Sequence, residues 1–278
     1  MNGICVLALM KIIVTMLNNH EIDYHIYGEE MQYVEVELDP QETAVAEAGS
    51  FMMMDEGIQM ETIFGDGSKP QSGLMGKLFS AGKRLLTGES LFMTTYTNTG
   101  QGKKKVSFAS PYPGKIIPLD LHQLGNRIIC QKDSFLCAAK GVAISIEFQK
   151  KLGTGLFGGE GFIMQKLEGD GMAFVHAGGH VLQKELQPGE LLKIDTGCIV
   201  AFTNHVDYDI QFVGGIKNTL FGGEGVFFAT LRGPGTVWIQ TLPISRLAGR
   251  ILSYGTYKRK EEGSILGGIG NMLDGDGW

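Results

Sequence analysis

The chain repeats a six-residue sequence, and this repeat constrains the fold more than any other feature. Leu-Phe-Gly-Gly-Glu-Gly occupies residues 156–161 and occurs again, letter for letter, at 220–225. The agreement continues downstream without a gap, since Leu167 aligns with Leu231. A constant spacing between similar segments is typical of duplicated structural units. The repeat therefore predicts an architecture of tandem modules.

Weaker repeats raise the number of modules to three. Residues 85–90 are a worn copy of the glycine-rich sequence, residues 38–50 align with 186–198, and Leu124 and Asp133 mark a fainter middle version. We expect each module to contain a hairpin with a Pro-Gly-type turn and a second hairpin entered through the Gly-Glu loop. The predicted boundaries are 1–30 for an N-terminal extension and first strand, 31–113 for module 1 (with an insertion at 55–87), 114–178 for module 2, 179–243 for module 3, and 244–278 for a C-terminal segment and Gly-rich tail.

Alternation of apolar and polar residues predicts an all-β fold. The pattern has period two at residues 33–38, 142–148 and 208–212, as expected for strands with one buried face. The 41 glycines are about twice the usual share of ~7%, and they suit turns between many short strands. We expect three tandem, pseudo-threefold β modules of sandwich or jelly-roll type. Met52–Met54 aligns with residues 200–202, which favours packing in a core.

One segment departs from this pattern. Residues 72–86 have apolar side chains near helical spacing, and four basic residues but no acidic ones lie between Asp66 and Glu89. Such a segment forms an amphipathic helix that either contacts a membrane or partner, or caps one end of the β assembly. The contact residues would be Lys77, Leu78, Phe79, Lys83 and Arg84.

Composition limits the function and the compartment. A net charge of -6 argues against nucleic acid as a partner, because phosphate binding needs clustered lysine and arginine. The four cysteines have no metal-binding or paired spacing, which indicates buried free thiols in a reducing compartment. We therefore expect a cytoplasmic protein, membrane-associated if residues 72–86 bind a membrane, and we expect no cofactor.

The Gly-Glu loops are weak candidates for a ligand site. A phosphate-binding loop leads into a helix, whereas each of these leads into a predicted strand and carries an acidic residue. The three glutamates could converge on a cation at a pseudo-threefold axis, or each could accept hydrogen bonds from its own turn. We favour the second, a structural turn motif formed by Gly88, Glu89, Gly159, Glu160, Gly223 and Glu224.

Two histidines are a candidate metal site. His176 and His180 have the i,i+4 spacing that binds zinc on a helix, but the intervening glycines place them at the end of a strand. His176 also aligns with Gln240, so that this position requires only a polar residue. No catalytic motif accompanies them, and we assign no catalytic residue.

The motifs taken together resemble one known family. Asp23-Tyr24, residues 34–40, 46–50 and 87–92, and both copies of the glycine-rich sequence occur in the order and spacing of the family of altered-inheritance-of-mitochondria protein twenty-four. The resemblance covers roughly residues 21–255. It implies a fold similar to the tryptophan RNA-binding attenuation protein, a short double-stranded β-helix, present three times in one chain. Fungal mitochondrial members are linked to inner-membrane organisation, prokaryotic members have no settled activity, and no catalytic residues carry over.

These observations favour a non-enzymatic scaffold or binding protein that self-associates as a homo-oligomer. The alternative is a cupin-like small-molecule-binding or metal-dependent enzyme, since double-stranded β-helices often hold ligands. A third hypothesis is RNA binding, but likeness of fold to an RNA-binding protein is only an analogy.

Overall fold

The computed structural model describes residues 19–64, 92–150, 162–212 and 227–254. Within these ranges the chain forms nineteen strands in four antiparallel sheets, together with two short 3-10 turns and one helix at 244–254. The predicted all-β class is confirmed. The helix expected at 72–86 lies outside the described residues.

After a leading strand, the strands fall into three sets of six. The leading strand is β1 (Asp23–Tyr27). The first set is β2 (Tyr33–Leu38), β3 (Thr43–Glu47), β4 (Phe51–Met54), β5 (Ile58–Phe64), β6 (Phe92–Asn98) and β7 (Lys104–Ala109). The middle set is β8 (Gly114–Asp120), β9 (Arg127–Gln131), β10 (Phe135–Ala139), β11 (Ala143–Lys150), β12 (Phe162–Glu168) and β13 (Met172–Gly178). The last set is β14 (Val181–Leu186), β15 (Leu191–Asp195), β16 (Ile199–Thr203), β17 (Asp207–Phe212), β18 (Phe227–Arg232) and β19 (Gly235–Gln240).

The three sets share one pairing scheme. In each set the first and third strands pair with the sixth, and the second and fourth pair with the fifth. Every pair is antiparallel. Each set therefore contributes two groups of three strands, ordered first-sixth-third and second-fifth-fourth.

The predicted hairpins are wrong in their pairing. β2 and β3 are joined by the Pro-Gly-type turn at 39–42 but lie in different sheets, and so do β12 and β13, which are joined at 169–171. Within each set, only the fourth and fifth of the described strands are neighbours both in the chain and in a sheet; β1 and β2, at the start, are the other such pair. The reason is that alternation reveals a strand with one buried face, not the strand beside it. β5 also lies inside the range predicted as an insertion, yet it is a regular member of the first set.

Consecutive sets are joined by strand pairing as well as by the chain. β3 of the first set pairs with β10 of the middle set, and β9 of the middle set pairs with β16 of the last set. The result is two six-stranded sheets, ordered β5-β6-β3-β10-β13-β8 and β11-β12-β9-β16-β19-β14. Two smaller sheets remain at the ends, ordered β1-β2-β7-β4 and β15-β18-β17.

The hydrophobic core has three clusters that follow the three sets. Phe108 belongs to the first cluster, Leu167 to the middle one and Phe202 to the last, and all three side chains are fully buried. Each such side chain stabilises the fold by about 1.5–3 kcal/mol through loss of apolar surface to water. The joining strands take part in these clusters on both faces, because Ala46 and Cys137 lie in the first cluster while Ala138 lies in the middle one.

The helix at 244–254 follows β19 directly. It begins after Pro243, whose carbonyl oxygen accepts from the main-chain nitrogens of Arg246 and Leu247 at 3.0 and 3.2 Å. Proline suits a helix start because its missing N–H has no intrahelical partner to lose. Among the described residues, no helix is long and apolar enough to cross a membrane.

Candidate functional site

Two groups of predicted site residues fall outside the described ranges. They are the turn residues Gly88, Glu89, Gly159, Glu160, Gly223 and Glu224, and the proposed contact residues Lys77, Leu78, Phe79, Lys83 and Arg84. The segments that carry them, 65–91, 151–161 and 213–226, each connect a paired fourth and fifth strand. Their proposed roles stay predictions.

His176 is buried and hydrogen-bonded to the main chain. It lies on β13 with 1% of its surface exposed, and its Nε2 atom is 3.0 Å from the main-chain oxygen of Tyr112. Because a carbonyl oxygen only accepts, Nε2 carries the proton. Burial lowers the pKa of His176 to about 4, although the bond to Tyr112 opposes this shift. The buried Nδ1 atom has no hydrogen-bond acceptor among the described residues, so the neutral ring is the stable form.

His180, the other predicted metal ligand, lies in a different environment from His176. It is exposed in the connection between β13 and β14, where its main-chain nitrogen donates to Oγ1 of Thr241 at 2.9 Å. In the described parts of the chain, no three His, Cys, Asp or Glu side chains are grouped closely enough to hold a metal ion.

Gln240 shows what the aligned position does. It is buried on β19, its Oε1 atom accepts from the main-chain nitrogen of Gly178, and its Nε2 atom donates to the main-chain oxygen of Gly197, both at 2.8 Å. Tyr112 lies between β7 and β8, and Gly178 ends β13 at the connection to β14. His176 and Gln240 therefore each bind the main chain where one set passes into the next, which is a positioning role.

Asn19 anchors the start of the described chain to the middle set. Its main-chain nitrogen donates to Oδ1 of Asp170 at 3.0 Å. With the amide oriented so that both its atoms are satisfied, its oxygen accepts from the nitrogens of Val142 and Gly171 at 3.0 and 3.2 Å. A Cβ atom at Gly171 would lie 2.9 Å from Cβ of Asn19. The sequence reasoning missed this contact, since residues up to 19 lay outside the recognised motifs.

One edge of the molecule is apolar and unpaired. β4 is the last strand of its sheet, and its four residues, Phe51–Met54, are each 40–48% exposed. The corresponding strands of the other sets, β10 and β16, are buried at every residue. Core packing of Met52–Met54 was therefore the wrong prediction. The alignment was right, but among the described strands none from another set pairs with this one. We call residues 51–55 the β4 edge.

A second unpaired edge lies at the other end. β15 is the last strand of the sheet β15-β18-β17, and Leu191 is 55% exposed on it. Lys193 is also exposed, whereas the matching residues in the other sets, Val45 and Ile129, are 0% and 3% exposed. We call residues 191–195 the β15 edge.

Large exposed apolar side chains concentrate in the parts of the chain that carry these edges. Among the described residues they occur in and around the first set, in the last set and on the helix, and none lies between 114 and 178. They are Tyr24, Tyr27, Met31, Phe51, Met52, Met53, Met54, Met60, Leu182, Leu191, Phe228, Ile251, Leu252 and Tyr254. Contiguous exposed apolar surface is typical of interaction sites. The two edges are the candidate functional site.

Comparison with known proteins gives a family and a fold. The family model described as "Mitochondrial biogenesis AIM24" matches residues 24–242. An uncharacterized protein of Streptococcus pyogenes serotype M6 is 32% identical over 225 residues, which are 80% of this chain and 86% of that protein. A crystal structure of a Streptococcus pyogenes protein from a structural genomics consortium has a TM-score of 0.67 at 24% identity, covering 84% of this chain and all of that one. This structural likeness establishes the fold.

Proposed function

The chain belongs to the family described as mitochondrial biogenesis AIM24, and from this premise we propose that it is a non-enzymatic scaffold that binds other proteins and associates with copies of itself. The observation that carries the proposal is the β4 edge. Phe51–Met54 combine exposed apolar side chains with an unpaired strand. A strand of this kind offers both main-chain hydrogen bonds and apolar area to a partner.

The described polar side chains support a structural rather than a chemical role. His176 and Gln240 are buried and occupied by main-chain groups. Cys130 and Cys137 are free and fully buried, and burial raises the pKa of both thiols. None of these groups is placed to act on an external substrate, because each is enclosed in the core.

Sedimentation velocity of the full chain at increasing concentration tests the proposal. We expect species heavier than the 30.2 kDa monomer, and their share should grow with concentration. Replacing Met53 with lysine should reduce that share, since it places a charge in the apolar edge. A matched Met60→Lys change, on an exposed methionine outside the edge, should leave it unchanged. A monomer at every concentration would overturn self-association.

The peripheral-membrane form of the proposal depends on residues 72–86. Deleting residues 74–86 and repeating vesicle flotation with anionic lipid tests it directly. Loss of flotation would support contact through this segment, and unchanged flotation would contradict it. A matched variant keeps the whole segment and replaces Lys77, Lys83 and Arg84 with glutamine. It should also lose flotation, because electrostatic binding to anionic lipid requires these charges.

The enzyme alternative is tested separately. A cupin-like metal enzyme needs a group of ligands that the described residues do not provide. Elemental analysis of the purified full chain covers the remaining residues too. A stoichiometric transition metal would favour the enzyme over the scaffold.

A further inference from the structure

Apart from β1, the two smaller sheets have the strand orders of the two halves of each six-stranded sheet. In both six-stranded sheets the order is fourth, fifth and second strand of one set, followed by third, sixth and first strand of the next. The sheet β17-β18-β15 has the first half of this order. The strands β4-β7-β2 have the second half. Placing the β15 edge beside the β4 edge would therefore reproduce the order of the two complete sheets.

The third strands of the three sets share a break in their pairing register at the same position. β10 and β16 each have an irregularity in their pairing, between Phe135 and Cys137 and between Ile199 and Ala201. β4 has it at the same place, between Phe51 and Met53. The backbone of β4 is therefore already shaped like the two strands that accept a second strand from another set.

The two existing junctions also share one register. Ala46 lies opposite Cys137 and Val45 opposite Ala138 at the first junction. Cys130 lies opposite Ala201 and Ile129 opposite Phe202 at the second. In the last set, Ile194 and Lys193 occupy the positions of Cys130 and Ile129, as their pairing with β18 shows. In the first set, Met53 and Met54 occupy the positions of Cys137 and Ala138.

We propose that the β15 edge of one copy of the chain pairs antiparallel with the β4 edge of a second copy, with Ile194 opposite Met53 and Lys193 opposite Met54. This interface rests on the self-association in the proposed function and names its partner and register. It forms a third sheet with the same strand order, extended to seven strands because β1 pairs with β2. It is also heterologous, because two different surfaces meet, so that each copy can add another and the assembly closes as a ring or grows as a filament.

A second copy is the occupant that the described structure favours. Both inner junctions are paired within the chain, but β4 and β15 belong to separate sheets, and β4 stays 40–48% exposed. If the rotation between sets were a third of a turn, the chain would close on itself and the two edges would pair. They do not, so that the matching edge comes from another molecule.

Lys193 makes this junction weaker than the inner two. Val45 and Ile129 are buried where they meet the next set, whereas Lys193 would bring a charge to the same place. Lysine on an edge strand is a common guard against uncontrolled pairing. The interface is therefore reversible, and Lys193→Val, which restores the residue type of the inner junctions, should tighten association on the order of tenfold. Lys115→Val on β8, an edge strand without a proposed partner, is the control and should have no such effect.

Disulfide trapping tests the register. In a background with Cys5 and Cys198 replaced by serine, one variant carries Met54→Cys and a second, size-tagged variant carries Lys193→Cys. Under mild oxidation their mixture should form a mixed dimer, and a single chain carrying both changes should form a ladder of oligomers. Met60→Cys mixed with the tagged Lys193→Cys variant is the matched control and should form none above background. Met54, Met60 and Lys193 are exposed and Cys198 is partly exposed, whereas Cys5 lies outside the described residues.

The outcomes separate the interface from the proposed function. Oligomers in sedimentation without trapping above the control would overturn this interface and leave the scaffold proposal standing. A fast-migrating monomer from the double variant would show closure within one chain and would also overturn it. A monomeric protein that neither associates nor cross-links would overturn both. Tighter association of Lys193→Val together with the mixed dimer is the result that supports the inference.

Discussion

Nε2 of His176 lies 3.0 Å from the main-chain oxygen of Tyr112, and the two rings meet edge to face with centroids 4.4 Å apart. Burial lowers the pKa of His176 from 6.5 to about 4, so the folded protein holds the ring neutral while the unfolded chain protonates it. Unfolding therefore takes up a proton between these two pH values, and stability falls as the pH falls through that window. The loss should be on the order of 3 kcal/mol at completion, measured by denaturant unfolding across the pH range.

The last set suggests a control variant for this prediction. His176→Gln introduces the residue type found at the aligned Gln240, which can donate to the same carbonyl oxygen but does not titrate. We expect it to flatten the pH dependence between 6.5 and about 4. His180→Gln, at an exposed position, should leave the dependence intact. An unchanged slope in His176→Gln would show that another group is responsible.

Gln240 supports a second prediction about the same kind of connection. Gln240→Leu leaves the main-chain nitrogen of Gly178 and the main-chain oxygen of Gly197 without their present partner. Each unsatisfied buried group costs about 1–3 kcal/mol, so that the unfolding free energy should fall by about 3 kcal/mol. Gln59→Leu, at an exposed residue of β5, should change it by less than about 0.5 kcal/mol. Equal effects of the two changes would refute the junction role.

The sequence predicted strands well and neighbours poorly, for a physical reason. Alternation in residues 33–38 reports that one face of β2 is buried, and β2 is a strand over that range. It carries no information about whether β3 or β7 lies beside it, because both arrangements bury the same face. The exposure of Met53 shows the same limit. Its alignment with Ala201 is correct, but burial also depends on the set that lies next to it.

The candidate site was beyond the reach of motif reasoning for a related cause. An unpaired edge is a property of the whole assembly, since β4 pairs with β7 as β10 pairs with β13, but among the described strands only β10 has a second strand beside it. One signal in the sequence pointed to it. Lys193 replaces the apolar residue found at Val45 and Ile129, and a charge in an otherwise apolar strand position indicates an edge.

Asn19 supports a third prediction, on the attachment of the first described residues. Asn19→Ala removes the amide contacts with Val142, Asp170 and Gly171. The unfolding free energy should fall by about 1–3 kcal/mol, since three main-chain and side-chain groups lose a partner. Glu21→Ala, at an exposed neighbour, is the control and should have little effect. Denaturant titration followed by circular dichroism measures both.

Substitutions at Asn19 and Gly171 should have non-additive effects on the unfolding free energy. A Cβ atom at Gly171 would lie 2.9 Å from Cβ and 3.0 Å from a side-chain amide atom of Asn19, so Gly171→Ala should destabilise the protein by displacing the Asn19 side chain. In the Asn19→Ala background the amide is already absent, and the additional cost of Gly171→Ala should be smaller. Residues in direct contact show such coupling, at about 0.5–3 kcal/mol. Additive effects would place the Asn19 side chain away from Gly171.

Thiol reactivity separates the buried cysteines from the partly exposed one. Burial raises the pKa of Cys130 and of Cys137, and the thiolate is the form that reacts, so both should resist alkylation in the folded protein. Cys198 is only partly buried, so that a reagent can reach its thiol, and its sulfur lies 3.8 Å from Nη2 of Arg246. Pulse labelling with iodoacetamide, followed by peptide mass spectrometry, should therefore show Cys198 modified before Cys130 and Cys137. Labelling in denaturant is the control, where the three rates should converge. Early labelling of Cys130 would mean that β9 and its junction with β16 open readily, which would count against a stable inner junction as the template for the proposed one.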